Sequence, residues 1–116
     1  MSDASHRPAE PRDTALIHAL IDSVYAEYGC RLHLDEEPHL RDPGVYFRAS
    51  GGEFWVVEDE GIAATVAVKL AGEEAELKSL YVRADRRRRG WGRRLVELAT
   101  RHAVEHCARR IVLWSD

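Results

Sequence analysis

The sequence predicts an α/β (α+β) fold with one mixed sheet: an antiparallel meander followed by a parallel strand–helix–strand unit. Three observations carry this expectation. Apolar runs over Glu53–Glu58, Ile62–Leu70 and Ala75–Val82 are joined by Asp59-Glu60-Gly61 and Ala71-Gly72-Glu73-Glu74, and turns this tight join antiparallel neighbours. A later run, Arg110 to Trp114, is reached only through a long helical pattern, and such a crossover joins parallel strands with a right-handed connection. Between the third strand and that helix lies a basic stretch ending in Gly90-Trp91-Gly92, which is how a chain passes from a strand edge to a helix start.

Composition bounds the reading. A chain of 116 residues, 45% hydrophobic and 32% charged, is expected to form one globular domain over residues 1–116 with a modest core. The net charge is −3, so the whole molecule is not a nucleic-acid binder by charge. Its cations are uneven, however: 7 of the 17 Lys and Arg fall between Arg83 and Arg94, against one acid, Asp85. A local positive patch on an acidic chain fits a small anionic ligand better than a long polyanion. No secretory pattern and no long apolar run is present, so the expectation is cytoplasmic, without a membrane partner. Cys30 and Cys107 make no disulfide framework and are expected to be reduced and buried.

In order, Ser5-His6-Arg7-Pro8-Ala9 is a short strand that Pro8 confines to an edge. Asp13 is placed to cap a helix over Thr14–Tyr28, whose face is Leu16, Ile17, Leu20, Ile21, Val24, Tyr25 and Tyr28. Gly29 stops it. Cys30 to Gly52 is aperiodic, with a turn or helix start at Asp35–Pro38 and a short helix or turn at Pro43–Arg48. The three meander strands follow. In the third, Leu77 falls out of phase with Leu80 and Val82, and a one-residue β-bulge between them restores the pattern. The helix from Gly90 or Trp91 to about Cys107 buries Leu95, Val96, Ala99, Ala103 and Cys107. His102, His106 and Cys107 cluster on it, but no His-Glu-x-x-His accompanies them, and no metal is expected.

The chemistry concentrates at Leu80–Leu95. Helix N-termini present N–H groups without intrahelical partners, and the helix dipole is positive there. Arginine adds charge-assisted contacts to phosphate. The stretch is no P-loop and lacks the third glycine of a dinucleotide fingerprint, since Arg93 stands in its place. It does match Arg/Gln-x-x-Gly-x-Gly/Ala, as Arg87-Arg88-Arg89-Gly90-Trp91-Gly92 preceded by Leu80-Tyr81-Val82. In this it resembles the acyl-CoA pyrophosphate loop of the GCN5-related N-acetyltransferases, the GNAT family.

That resemblance implies a function: transfer of an acetyl group from acetyl-CoA to a primary amine, small molecule or peptide, by direct attack. The implied cofactor-binding residues are Leu80, Tyr81, Val82, Arg87, Arg88, Arg89, Gly90, Trp91, Gly92 and Arg93. The bulge would splay neighbouring strands, and the Leu80 and Val82 backbone would hold the pantetheine arm. Glu76, on the strand before the bulge, is the expected proton acceptor. The aperiodic region covers the acceptor site in the family. It nominates Tyr28, Arg31 and Glu36 as substrate contacts, with Asp35 and Tyr46 beside them. No Ser-His-Asp or Cys-His constellation is present, so no covalent intermediate is expected.

The chain departs from the family at its end. A complete domain adds a helix, whose tyrosine serves the leaving thiolate, and usually two strands. The expectation is a domain truncated after the fifth strand, with an open apolar edge that invites a homodimer or a complementing chain. The alternative reading is a non-catalytic acyl-CoA-binding protein or an inactive fragment. A nucleic-acid-binding module ranks lower, because only Tyr81 and Trp91 interleave the basic run.

Overall fold

The computed structural model describes residues 5–113. Five strands form one sheet in the order β1-β2-β3-β4-β5. They are β1 (Ser5–Pro8), β2 (Glu53–Glu58), β3 (Ile62–Ala71), β4 (Glu74–Val82) and β5 (Arg110–Leu113). β1 through β4 pair antiparallel, and β4 pairs parallel with β5. Helices α1 (Thr14–Ala26) and α2 (Pro43–Ala49) cover one face, and α3 (Trp91–Glu105) covers the other. The expected mixed sheet is therefore present. Trp114, assigned from sequence to the last strand, lies outside the described residues.

Alternation along the strands sends side chains to two cores. Trp55, Val57, Val66, Val68, Ala75 and Leu77 pack against Trp91, Leu95, Ala99 and Ala103 of α3. Phe54, Val56 and Ala67 pack against Ile17, Leu20, Ile21 and Val24 of α1 and against Leu40 and Phe47. The alanines of α3 let that helix approach the sheet closely.

The bulge lies where the sequence phase slips. β3 and β4 pair Ala67 with Lys78 but Thr65 with Tyr81, so β4 carries one extra residue. Ser79 absorbs it in a left-handed conformation, φ 55°, and its carbonyl accepts the Thr65 hydroxyl at 2.8 Å. Both residues are buried. Before the bulge Leu77 faces α3; after it Tyr81 faces α1 and Val82 faces α3. Among the described residues β5 pairs with β4 from Glu74 to Leu77. From Lys78 onward the β5 side of β4 has no paired strand among the described residues. Among the described residues β5 is the last strand of the sheet, with Ile111 and Leu113 exposed.

Three local expectations are corrected. Asp13 does not cap α1 with its side chain. A 3₁₀ turn over Pro11–Asp13 leads into the helix, and the carboxylate is taken by Arg7 at 2.7 and 2.9 Å and by the Glu10 N–H at 2.7 Å. The α-helical segment of α1 ends at Ala26 rather than Tyr28. Both cysteines are exposed, not buried, and the reason is shared. Each sits in a Schellman-type helix terminus. After α1, Cys30 N–H returns to Tyr25 C=O at 2.9 Å around Gly29, φ 74°. After α3, Ala108 N–H returns to Ala103 C=O at 3.0 Å, and Cys107 itself takes the left-handed position, φ 65°. Cys107 has therefore left the helix before its turn to face the sheet comes round.

Candidate functional site

The end of β4, just beyond the bulge, and the start of α3 converge on one cleft of about 500 Å³. Its walls are Leu80, Tyr81 and Val82 of β4, Arg86, Arg87 and Arg88 of the following loop, Gly90, Trp91 and Gly92 at the helix start, and Val24 and Tyr28 at the end of α1. Most of the residues expected to bind the cofactor are thus brought together. Arg89 and Arg93 are not among the lining residues; Arg93 reaches along α3 to Glu97 at 3.3 Å. Trp91 is 5% exposed and belongs mainly to the α3-side core, with Arg94 stacked on its ring at 4.2 Å.

The loop backbone is arranged for an anion. It turns left-handed at Arg88, φ 62°, and again at Gly90, φ 85°. The first helical hydrogen bond of α3 is Arg94 N–H to Gly90 C=O. No described acceptor takes the N–H groups from Arg88 to Arg93, as expected of a helix start. A Cβ placed on Gly90 or Gly92 would meet no protein atom within 4 Å. Nothing in the protein's own packing requires Gly92 to lack a side chain, whereas a ligand approaching the backbone would. These observations fit the pyrophosphate of an acyl-CoA.

The arginines divide by what holds them. Arg83 donates to the Glu60 and Asp59 carbonyls at 2.9 and 3.0 Å and to Asp85 at 2.7 Å. Arg86 binds Asp59, Asp85 and Glu60 at 2.8, 2.8 and 3.0 Å. Together they bolt the loop to the β2–β3 turn, and these partners keep the Asp59 and Asp85 carboxyls below their ordinary range. Arg87 forms a bidentate pair with Glu27 at 2.6 and 2.7 Å, tying the loop to the end of α1. Arg88 and Arg89 make no hydrogen bond or ion pair with another described residue.

The expected acceptor residues are less well gathered. A second cleft of about 250 Å³ is lined by Tyr25, Tyr28, Cys30, Arg31 and Glu37. Tyr28 and Arg31 are there, and Tyr28 borders both clefts. Glu36 is not among the lining residues; its neighbour Glu37 is. Tyr46 instead accepts from Lys69 at 3.1 Å, and Asp35 pairs with Arg41 at 2.7 Å. Glu76 pairs across the sheet with Lys69 and lies outside both linings. Sequence reasoning missed Tyr25 and Glu37. The Tyr25/Tyr28 spacing on one helix was a weak signal for the first; nothing local marked the second. Among the described residues no group of His, Cys, Asp or Glu could hold a metal ion.

A family model for the acetyltransferase (GNAT) family matches residues 17–116. The chain belongs to the GNAT family. Several solved structures share its fold. An acetyltransferase of the GNAT family from Staphylococcus aureus Mu50 superposes with TM-score 0.89 at 20% identity, covering 97% of this chain and 72% of that one. An acetyltransferase from Streptococcus agalactiae gives 0.88 at 21%, covering 97% and 73%. A predicted acetyltransferase from Clostridium acetobutylicum, described with acetyl-CoA, gives 0.76 at 17%, covering 97% and 81%. No curated protein matches the chain. Membership of the GNAT family implies acyl transfer from an acyl-CoA. Among the described residues no helix is long and apolar enough to cross a membrane.

Proposed function

We propose that this GNAT chain transfers an acetyl group from acetyl-CoA to a primary amine by direct attack. One observation carries the reading. Leu80–Val82, just beyond the β4 bulge, and the α3 start at Gly90–Gly92, whose N–H groups have no described acceptor, line the same cleft, so a thioester and a pyrophosphate can be held at once.

Acetyl-CoA supplies the activated acyl group; the chain's residues supply the rest. The N–H groups at the α3 start and Arg88 bind the pyrophosphate oxygens. Gly92 leaves the backbone open to them. The free side of β4 over Leu80–Val82 pairs with the pantetheine amides, and an N–H on that edge polarises the thioester carbonyl. A carboxylate takes the proton that an ammonium must lose before it attacks. Two carboxylates stand on the α1 side of the sheet, Glu76 and Glu37.

The test is calorimetric titration of acetyl-CoA into the protein and into Gly92→Val. The parent should bind saturably, in competition with CoA. The variant should bind roughly 10- to 100-fold more weakly, the loss of one charge-assisted hydrogen bond. A folded parent that binds no acetyl-CoA, or a variant that binds as the parent does, sinks the proposal.

A further inference from the structure

A hydrogen-bond chain runs from the larger cleft, the donor cleft of the reading above, to the smaller one. The Tyr25 hydroxyl donates to Glu37 Oε1 at 2.7 Å. The Tyr81 hydroxyl lies 3.1 Å from the Tyr25 oxygen. A phenol has one proton, and that of Tyr25 is committed to the carboxylate, so Tyr81 is the donor in the second bond. The chain therefore has a direction, from Tyr81 through Tyr25 to Glu37. It ends on a carboxylate that can only accept.

Its ends occupy different clefts. Tyr81 follows the bulge directly and lines the donor cleft. Glu37 lines the smaller cleft beside Tyr25, Tyr28 and Arg31. The groups are also held. Tyr25 and Tyr81 meet edge to face, with ring centroids 5.9 Å apart. The Glu37 N–H is shared by the His33 and Leu34 carbonyls at 3.2 and 3.3 Å, and its C=O accepts from fully buried Leu40 at 2.9 Å. Leu32 N–H donates to Asp22 on α1 at 3.0 Å, pinning the same loop.

We propose that this chain is the proton exit for the acceptor, with Glu37 as the proton acceptor acting through Tyr25 and Tyr81. The inference rests on the acetyl transfer proposed above and names its acceptor class: a primary alkylamine that arrives as its ammonium ion. A proton path that ends on a carboxylate serves an acceptor that must shed a proton before it attacks.

The step balances. The ammonium gives one N–H proton to the Tyr81 oxygen as the Tyr81 proton moves to Tyr25 and the Tyr25 proton to Glu37. The freed nitrogen lone pair forms the C–N bond, and the thioester C–S bond breaks. A second N–H proton ends on the departing sulfur, and Glu37 releases the first to solvent. The products are the amide, the CoA thiol and one proton. Glu76 is the poorer terminus, since it already faces Lys69 across the strand pair and lines neither cleft.

The experiment follows thiol release from acetyl-CoA with a panel of amino acids, polyamines and aminosugars, and with an O-alkylhydroxylamine that is unprotonated at neutral pH. Glu37→Gln and Tyr25→Phe should each lower kcat/KM for alkylamines by roughly 100-fold, the scale of a lost general base, and by less than about 5-fold for the neutral probe. Acetyl-CoA affinity, read by calorimetry, should stay near the parent's. An equal loss for both probe classes would mean mere structural support and overturns the inference. So would loss in Glu76→Gln with Glu37→Gln active, or a parent that binds acetyl-CoA yet acetylates no probe. A parent that fails to bind acetyl-CoA removes the transfer reading, and this inference with it.

Discussion

Arg86 and Arg88 share one loop and one cleft wall, but their surroundings differ. Arg86 is 12% exposed at its side chain and surrounded by Asp59, Glu60 and Asp85. Arg88 stands on a left-handed backbone and bonds to no other described residue. The first spends its charge on the protein; the second has it available for a ligand. A basic run is thus not one feature. Each cation must be assigned by the carboxylates within its reach, and only those without one remain free for an anion at no cost in broken pairs.

The extreme of the paired class lies at the opposite edge of the sheet, where Arg7 meets Asp13. Asp13 is 3% exposed, and Arg7 also reaches Glu58 at 3.2 Å, so one guanidinium joins β1, β2 and the entry to α1. Removing a partner from such a pair strands the other. Asp13→Ala should cost on the order of 3 kcal/mol in a denaturant melt. The Arg7 guanidinium holds the Asp13 carboxyl below its ordinary range. A depressed folded pKa gives stability that is present above the unfolded value, near ~3.9, and is lost as pH falls through the folded one. The parent should therefore lose stability below about pH 5, and Asp13→Asn should show a shallower acid limb. Equal limbs would mean this pair is no stronger than the exposed ones.

Legibility from sequence followed the same division between local and distant causes. The bulge could be read because it leaves a mark in the strand itself, Leu77 out of phase with Leu80. The α3 stripe of Leu95, Ala99 and Ala103 could be read because its period is local. Glu37 could not. Its partner Tyr25 sits on α1, the next link Tyr81 sits on β4, and the loop between Cys30 and Asp42 has no period to align. Glu36 and Glu37 are indistinguishable as letters; the turn that sends Glu37 N–H to His33 and Leu34 decides which carboxylate faces the tyrosines. The cysteines failed for a related reason. Their hydrophobic character argues for burial, but helix termini at Gly29 and Cys107 turn both outward.

The contrast within the loop has its own test. Arg86→Ala removes the bolt to the β2–β3 turn and should lower the melting temperature with little change in the apparent affinity of what remains folded. Arg88→Ala should leave the melting temperature unchanged and weaken acetyl-CoA binding by about 3- to 10-fold, one exposed charge contact to phosphate. The crossed result, a stability loss at Arg88 or a binding loss confined to Arg86, would reverse the two assignments.

Arg87 is intermediate and gives the finest measurement. It lines the 500 Å³ cleft and donates to the Val82 carbonyl at 3.0 Å, yet Glu27 grips it bidentately. The pairing lowers the Glu27 carboxyl below its ordinary range and raises the guanidinium. If the ligand recruits Arg87, it must first take it from Glu27. Glu27→Gln keeps the shape and releases the cation, so acetyl-CoA should bind about 2- to 5-fold tighter, the scale of an exposed ion pair. The gain should fade as salt rises, because both contacts are at the surface. Unchanged affinity would move Arg87 into Arg86's class, a residue that fastens α1 to the loop. Weaker binding would mean that Glu27 orients the guanidinium toward the cleft, making the ion pair part of the site rather than a competitor for it.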